Sequence, residues 1–197
     1  MSSSLTAVSV YCGSNPGTDP AYAEAATAMG TALAERGIDM VYGGGHVGLM
    51  GIAADAALAA GGHVHGVITR ALQEHEVEHV GLTSLTVVET MHERKFTMAD
   101  RSDAFVMLPG GFGTLDEFFE VVTWTQLGVH AKPCGVLDVR GFFDPLLAFL
   151  DHATNEQFIR PLHRESIVVG TDAGALLDQL AEVALPTVEK VIRPSER

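Results

Sequence analysis

With 197 residues, 47% of them hydrophobic and 19% charged, the chain has the length of one domain and enough apolar sequence to bury a core, which excludes disorder. Twelve Lys and Arg stand against 25 Asp and Glu, a formal net charge of −13 that repels phosphodiester backbones and argues against nucleic acid as a partner. A phosphorylated ligand would have to be held by local groups working against that field.

The N-terminal MSSSLTAVSV carries no basic segment ahead of its apolar run, so it reads as a lead into a strand and not as a signal peptide. No run approaches ~18 apolar residues, so no membrane span is expected. Strands are expected at Leu5–Cys12, Ile38–Tyr42, His63–Thr69, Leu85–Glu89, Asp103–Leu108, Pro133–Val139 and Ser166–Val169. Several are continuous apolar runs, the pattern of a parallel sheet covered on both faces. Helices alternate with them. Asp19 is placed to cap the first, with Pro20 opening it and Gly37 ending it. Gly48 to Ala60, Thr90 to Arg101, Thr114 to Leu127, Asp144 to Gln157 and Asp172 to Ala184 follow. This rhythm predicts an α/β fold: a single Rossmann-like, doubly wound domain over residues 1–185, with a mainly parallel sheet of about seven strands and a loose tail over 186–197. Cys12 and Cys134 lie within strand runs and read as reduced core thiols of a cytoplasmic protein.

Ligands of such sheets bind beyond the carboxyl ends of the strands, so three strand-to-helix junctions matter most. The first, Gly13-Ser14-Asn15-Pro16-Gly17, is either a turn or a source of a hydroxyl and free N–H groups at the crevice. The second, Gly43-Gly44-Gly45-His46-Val47-Gly48, matches the dinucleotide fingerprint, but the strand that follows ends in Thr69-Arg70 without the expected acidic residue; Arg70 leaves only an NADP variant of that reading. The third, Pro109-Gly110-Gly111-Phe112-Gly113-Thr114-Leu115-Asp116-Glu117, supports two readings. Its glycines and the following helix start form a phosphate cradle that needs no net positive surface, and Thr114 with Glu117 also forms a capping box.

Met91, Arg94, Lys95 and Met98 share a helical face in the segment before the third junction. Its two cations are either solvated or phosphate partners. His75-Glu76-Val77-Glu78-His79 fits a zinc motif, but no sustained apolar helical face flanks it, and a loop is preferred. His63 and His65 share a strand face without an evident third ligand. No metal ligand is assigned.

The strings YCGSNPG, VYGGGHVGLMG, MHERK and PGGFGTLDE together resemble the LONELY GUY (LOG) family of cytokinin riboside 5′-monophosphate phosphoribohydrolases, long mislabelled lysine decarboxylases, over residues 7–180. The resemblance implies a Rossmann-like homodimer with sites near the subunit contact. It also implies hydrolysis of the N-glycosidic bond of N6-modified adenosine monophosphates, and often AMP, without metal or redox cofactor. Arg94 and Glu117 would be catalytic. Gly110, Gly111, Gly113 and Thr114 would hold the 5′-phosphate, and Lys95, Thr123 and Glu76 would line the nucleotide site. Ser14, Gly44 and Met91, from the matching segments, complete the expected substrate set. His75 departs from the basic residue expected beside Glu76, and Asp116 stands where relatives often have Glu. Glu117, placed in the first turn of its helix, is expected to be ionised and to stabilise an oxocarbenium-like transition state or orient water. Arg94 is expected to bind phosphate or ribose oxygens. A non-catalytic nucleotide or molybdenum-cofactor carrier is the alternative, against which the presence of both Arg94 and Glu117 counts. No Lys sits in a recognisable pyridoxal-phosphate context.

Overall fold

A computed structural model describes residues 5–73 and 79–184. The elements run β1 (Ala7–Tyr11), α1 (Pro20–Glu35), β2 (Asp39–Tyr42), α2 (Gly48–Ala59), β3 (Val64–Thr69), α3 (Arg70–Gln73), β4 (Ser84–Val88), α4 (Met91–Asp100), β5 (Ala104–Met107), α5 (Phe112–Gln126), β6 (Cys134–Leu137), α6 (Asp144–Asn155), α7 (Pro161–Glu165), β7 (Ile167–Gly170) and α8 (Ala173–Glu182). All seven expected strands and six expected helices are present. The short α3 and α7 lack a periodic pattern long enough to announce them. The tail expected from residue 186 lies outside the described residues, and among those residues no helix is long and apolar enough to cross a membrane.

All strand pairings are parallel, in the order β4-β3-β2-β1-β5-β6-β7. Alternation along each strand sends side chains to opposite faces. Val8, Val10, Met40, Tyr42, Ala104 and Val106 join one core with α1, α2 and α8. Tyr11, Val41, Phe105 and Met107 join another with α4, α5 and α6. Both faces are buried, which is why the strands read as unbroken apolar runs. Cys12 and Cys134 are buried and unpaired, as expected, and burial pushes the Cys134 thiol up to about 12.

Helix punctuation largely follows the sequence. Asp19 Oδ1 accepts from the Ala21 N–H at 2.9 Å, Pro20 opens α1, and Gly37 takes φ +65° after its end. At α4 the Thr90 hydroxyl accepts from the Glu93 N–H while Glu93 Oε2 accepts from the Thr90 N–H, a capping box that the overlapping MHERK string concealed.

The sheet order reverses at β1 and β5, where β1 turns outward to β2 on one side and meets β5 on the other. A crevice opens at this switch point. The Gly13 N–H donates to the Pro109 carbonyl at 3.0 Å, and the Leu49 N–H donates to the Gly13 carbonyl at 3.0 Å, so the three junctions converge there.

Candidate active site

The third junction differs from its expected form in one respect. Helix α5 starts at Phe112, two residues before the expected Thr114, and its cap is Gly111, with no side-chain hydrogen bond. Thr114 is therefore buried inside the first turn and Glu117 lies in the second, so the capping box expected of this pair is not formed. The physical reason is tertiary: Glu117 turns inward to a cation on α4, which outweighs a local cap. The first N–H groups of α5 are left without a side-chain acceptor, facing the loop glycines. A Cβ on Gly111 or Gly113 would meet nothing within 4 Å, so protein packing does not require glycine at either position.

Arg94 is that cation, and it is buried, at 7% exposure. Its Nε donates to the Val67 carbonyl at 2.9 Å, its Nη2 to the Gly43 carbonyl at 3.2 Å and its Nη1 to Glu117 Oε1 at 2.8 Å. The reading of this position as a solvated surface cation is thereby overturned. The Glu117 side chain is 13% exposed. Burial raises its pKa above the ordinary 4.5, and the Arg94 guanidinium opposes that rise. The expectation that a helix-start dipole keeps Glu117 ionised is replaced by this balance between desolvation and a buried ion pair.

These groups line a cavity of about 420 Å³ with Ser14, Gly110, Gly111, Gly113 and Thr114, a size within the ~300–1,000 Å³ usual for small-ligand sites. Tyr22, Leu72 and Phe142 line it too, from outside the three junctions read in the sequence, and Phe112, inside the third, had been given no role. Phe112 is 94% exposed, and an aromatic ring set among glycines at a helix start was the available signal. Tyr22, in the first turn of α1, and Phe142, in the turn before α6, meet edge to face with centroids 5.6 Å apart, a contact between distant segments that no local pattern shows.

Other expected site residues stand elsewhere. Lys95 Nζ is engaged by Asp116 Oδ2 at 3.2 Å and Glu120 Oε1 at 3.1 Å. Thr123 donates to the Phe119 carbonyl at 2.7 Å and lines a second groove between α5 and α6. Met91 is exposed at the start of α4, and Gly44, at φ +81°, packs against Ile68 and Leu85. None of these four lines the cavity. Glu76 and His75 lie outside the described residues.

The second junction is not a dinucleotide site. A Cβ on Gly43 would strike the Arg94 guanidinium, and one on Gly48, at φ +62°, would strike the Ser14 backbone. These glycines make room for protein, and Arg70, the residue on which the NADP reading depended, pairs with Glu89 at 2.9 Å.

Fold and site together define a Rossmann-like protein with a cavity of small-ligand size at the switch point of its sheet. Residues 50–180 match the family described as "Possible lysine decarboxylase". The cytokinin riboside 5′-monophosphate phosphoribohydrolase LOG7 of Arabidopsis thaliana is 48% identical over 175 residues, 89% of this chain and 81% of that protein. LOG1 of the same plant, with the same activity in its name, is 46% identical over 93% of this chain and 86% of its own length. The chain belongs to the LOG family of phosphoribohydrolases. Among solved structures, the molybdenum cofactor carrier protein of Chlamydomonas reinhardtii superposes with TM-score 0.68 over 89% of this chain and 97% of that one, and the molybdenum cofactor binding protein of Rippkaea orientalis with 0.67 over 88% and 93%. Both are 20% identical, a likeness of fold alone.

Proposed function

We propose that the protein hydrolyses the N-glycosidic bond of adenosine 5′-monophosphates, with or without an N6 substituent, to the free base and ribose 5-phosphate. The observation that carries this reading is the buried Arg94–Glu117 pair, set in a cavity beside the uncapped glycine start of α5. In this reading the 5′-phosphate rests on the N–H groups and positive dipole end of that helix, which supply attraction without a basic surface. Glu117 follows Phe112 by five residues, about 7.5 Å along the axis at 1.5 Å per residue. That spacing leaves room for a ribose between phosphate and carboxylate.

In the reaction the oxygen of water bonds to C1′ while the C1′–N9 bond breaks, and its electron pair leaves with the base, which takes up a proton. Glu117, as carboxylate, stabilises the positive charge developing on the ribose and accepts the proton of water. Arg94 spends its described hydrogen bonds on Val67, Gly43 and Glu117, so its first task is to hold that carboxylate ionised and oriented. Phe112 and Phe142 offer apolar faces to a base. Among the described residues decarboxylation finds no support: Lys95 is held by two carboxylates, Lys132 donates to the Ala99 carbonyl at 2.7 Å, and neither lines the cavity.

The same proposal includes a cytoplasmic homodimer. The groove lined by Phe119, Val122, Leu146, Phe149 and Ile159, with Phe149 63% and Phe158 88% exposed nearby, supports pairing there and would bring Thr123 to a subunit contact.

The test is incubation with AMP, other nucleoside monophosphates and N6-isopentenyl-AMP, with products resolved by chromatography. Equal amounts of base and ribose 5-phosphate are expected from the adenosine compounds; neither product from any of them would refute the proposal.

A further inference from the structure

The zinc-like string at residues 75–79 was set aside in the sequence, yet its last histidine meets two residues far from it in the chain. His46, from the loop after β2, Asp55, from α2, and His79 each present one ligand atom, and these atoms lie within 4.8 Å of one another. The His79 Nε2–Asp55 Oδ1 distance is 3.0 Å, and the His46 and His79 rings stand edge to face with centroids 4.7 Å apart. We propose that His46, Asp55 and His79 form a binding site for one zinc-class dication, distinct from the nucleotide cavity.

Two imidazoles and a carboxylate are the ligand chemistry of borderline dications such as zinc and cobalt(II). Ligand atoms at ~2.0–2.2 Å from such an ion stand about 3.0–3.5 Å apart. The His79–Asp55 pair already has that spacing, and His46 and Asp55 are exposed, with room for their side chains to turn toward a common ion. His79 is different. Its side chain is 2% exposed, its backbone N–H is held by the Gly44 carbonyl at 3.2 Å, and its Nδ1 is buried without a hydrogen-bond partner among the described residues. A buried imidazole with one nitrogen unsatisfied is costly as mere packing. A metal bond would add attraction at this imidazole, with Asp55 turning from its hydrogen-bond partner into a fellow ligand. No other group of three such side chains converges in this way among the described residues. His63 and His65 both lean on Asp39, at 3.3 and 3.1 Å, and provide a control.

The site ties the loop after β2, whose Gly43 carbonyl accepts from Arg94, to α2 and to the segment entering β4. Bound metal should therefore stiffen the wall behind Arg94. The test is independent of hydrolysis. Tag-free full chain, stripped with chelator, is titrated calorimetrically with zinc sulfate and, in parallel, with cobalt chloride followed by its visible absorption. One equivalent is expected to bind, raising the Tm. His46→Asn and His79→Asn, which each remove a ligand, should weaken binding by more than the ~10–100-fold that loss of an outer-shell partner costs, and His63→Asn/His65→Asn should leave it unchanged. His46 is exposed, so its variant remains informative if His79→Asn folds poorly. Absence of one-equivalent binding, binding unaffected by His46→Asn, or binding lost only in the His63/His65 variant would each overturn the site.

Discussion

Two glycine-rich turns follow strands of the same sheet and read alike, yet they serve opposite ends. In the turn at 43–48 the space beside the glycine backbone is occupied by protein: the Arg94 guanidinium lies where a Gly43 Cβ would be, and the Ser14 backbone where a Gly48 Cβ would be. In the turn at 109–114 the space beside Gly111 and Gly113 is open, and the helix behind it has no side-chain cap. The string that matches the dinucleotide fingerprint packs, and the one that departs from it faces a cavity. Glycine spacing alone therefore does not tell a packed turn from one that faces a cavity; what fills the missing side chain's volume does.

The largest expected effect comes from removing the cation that links the two turns. Arg94→Met leaves Glu117 buried without its partner, a loss of about 3 kcal/mol or more in stability where such pairs are broken. Chemical denaturation of wild type and variant checks it. Gly43→Ala comes next. It crowds the guanidinium and should cost about 1–3 kcal/mol, with a matching fall in kcat/KM. In the Arg94→Met background the same change should cost much less, and a cycle showing no coupling would break the proposed explanation of Gly43.

Gly111→Ala should behave in the contrary sense. It meets no protein atom, so the Tm should stay within about 2 °C, since surface changes shift stability by ~0.5 kcal/mol. KM for AMP should rise roughly tenfold if one backbone contact to phosphate is lost, worth about 1.4 kcal/mol. Equal stability losses at Gly43 and Gly111 would erase the contrast between the turns.

The smallest effect is in pH dependence. Protonation of Glu117 removes the active carboxylate, so activity is present above its folded pKa and lost as pH falls through it. Burial raises that pKa, which puts the acid limb of kcat/KM above 4.5. A cation that holds the pKa down has the opposite sign, so residual activity of Arg94→Met should show its limb at still higher pH.

Much of this was legible from residues alone. The strand-helix alternation, the Asp19-Pro20 opening and the Gly37 ending of α1 are local, and local physics decided them. The pair proposed as catalytic came through the resemblance carried by MHERK and PGGFGTLDE, and the fold brings its two side chains together. What stayed hidden depends on distant contacts. Thr114 and Glu117 satisfied a capping pattern that burial against Arg94 overrode. The true capping box at Thr90 and Glu93 lay within a string already assigned to chemistry. Phe142 and Tyr22 reach the cavity from a turn and a helix 120 residues apart, and His46, Asp55 and His79 meet only through the fold.

The most direct measurement compares wild type with Glu117→Gln on AMP, quantifying free adenine and ribose 5-phosphate while following the nucleotide-induced shift in Tm. Gln keeps the size and a hydrogen-bond acceptor but not the charge. If Glu117 does the chemistry and the α5 turn does the binding, turnover falls by roughly 10²–10⁴-fold while AMP still raises the Tm. Turnover unchanged in Glu117→Gln would contradict that division of labour.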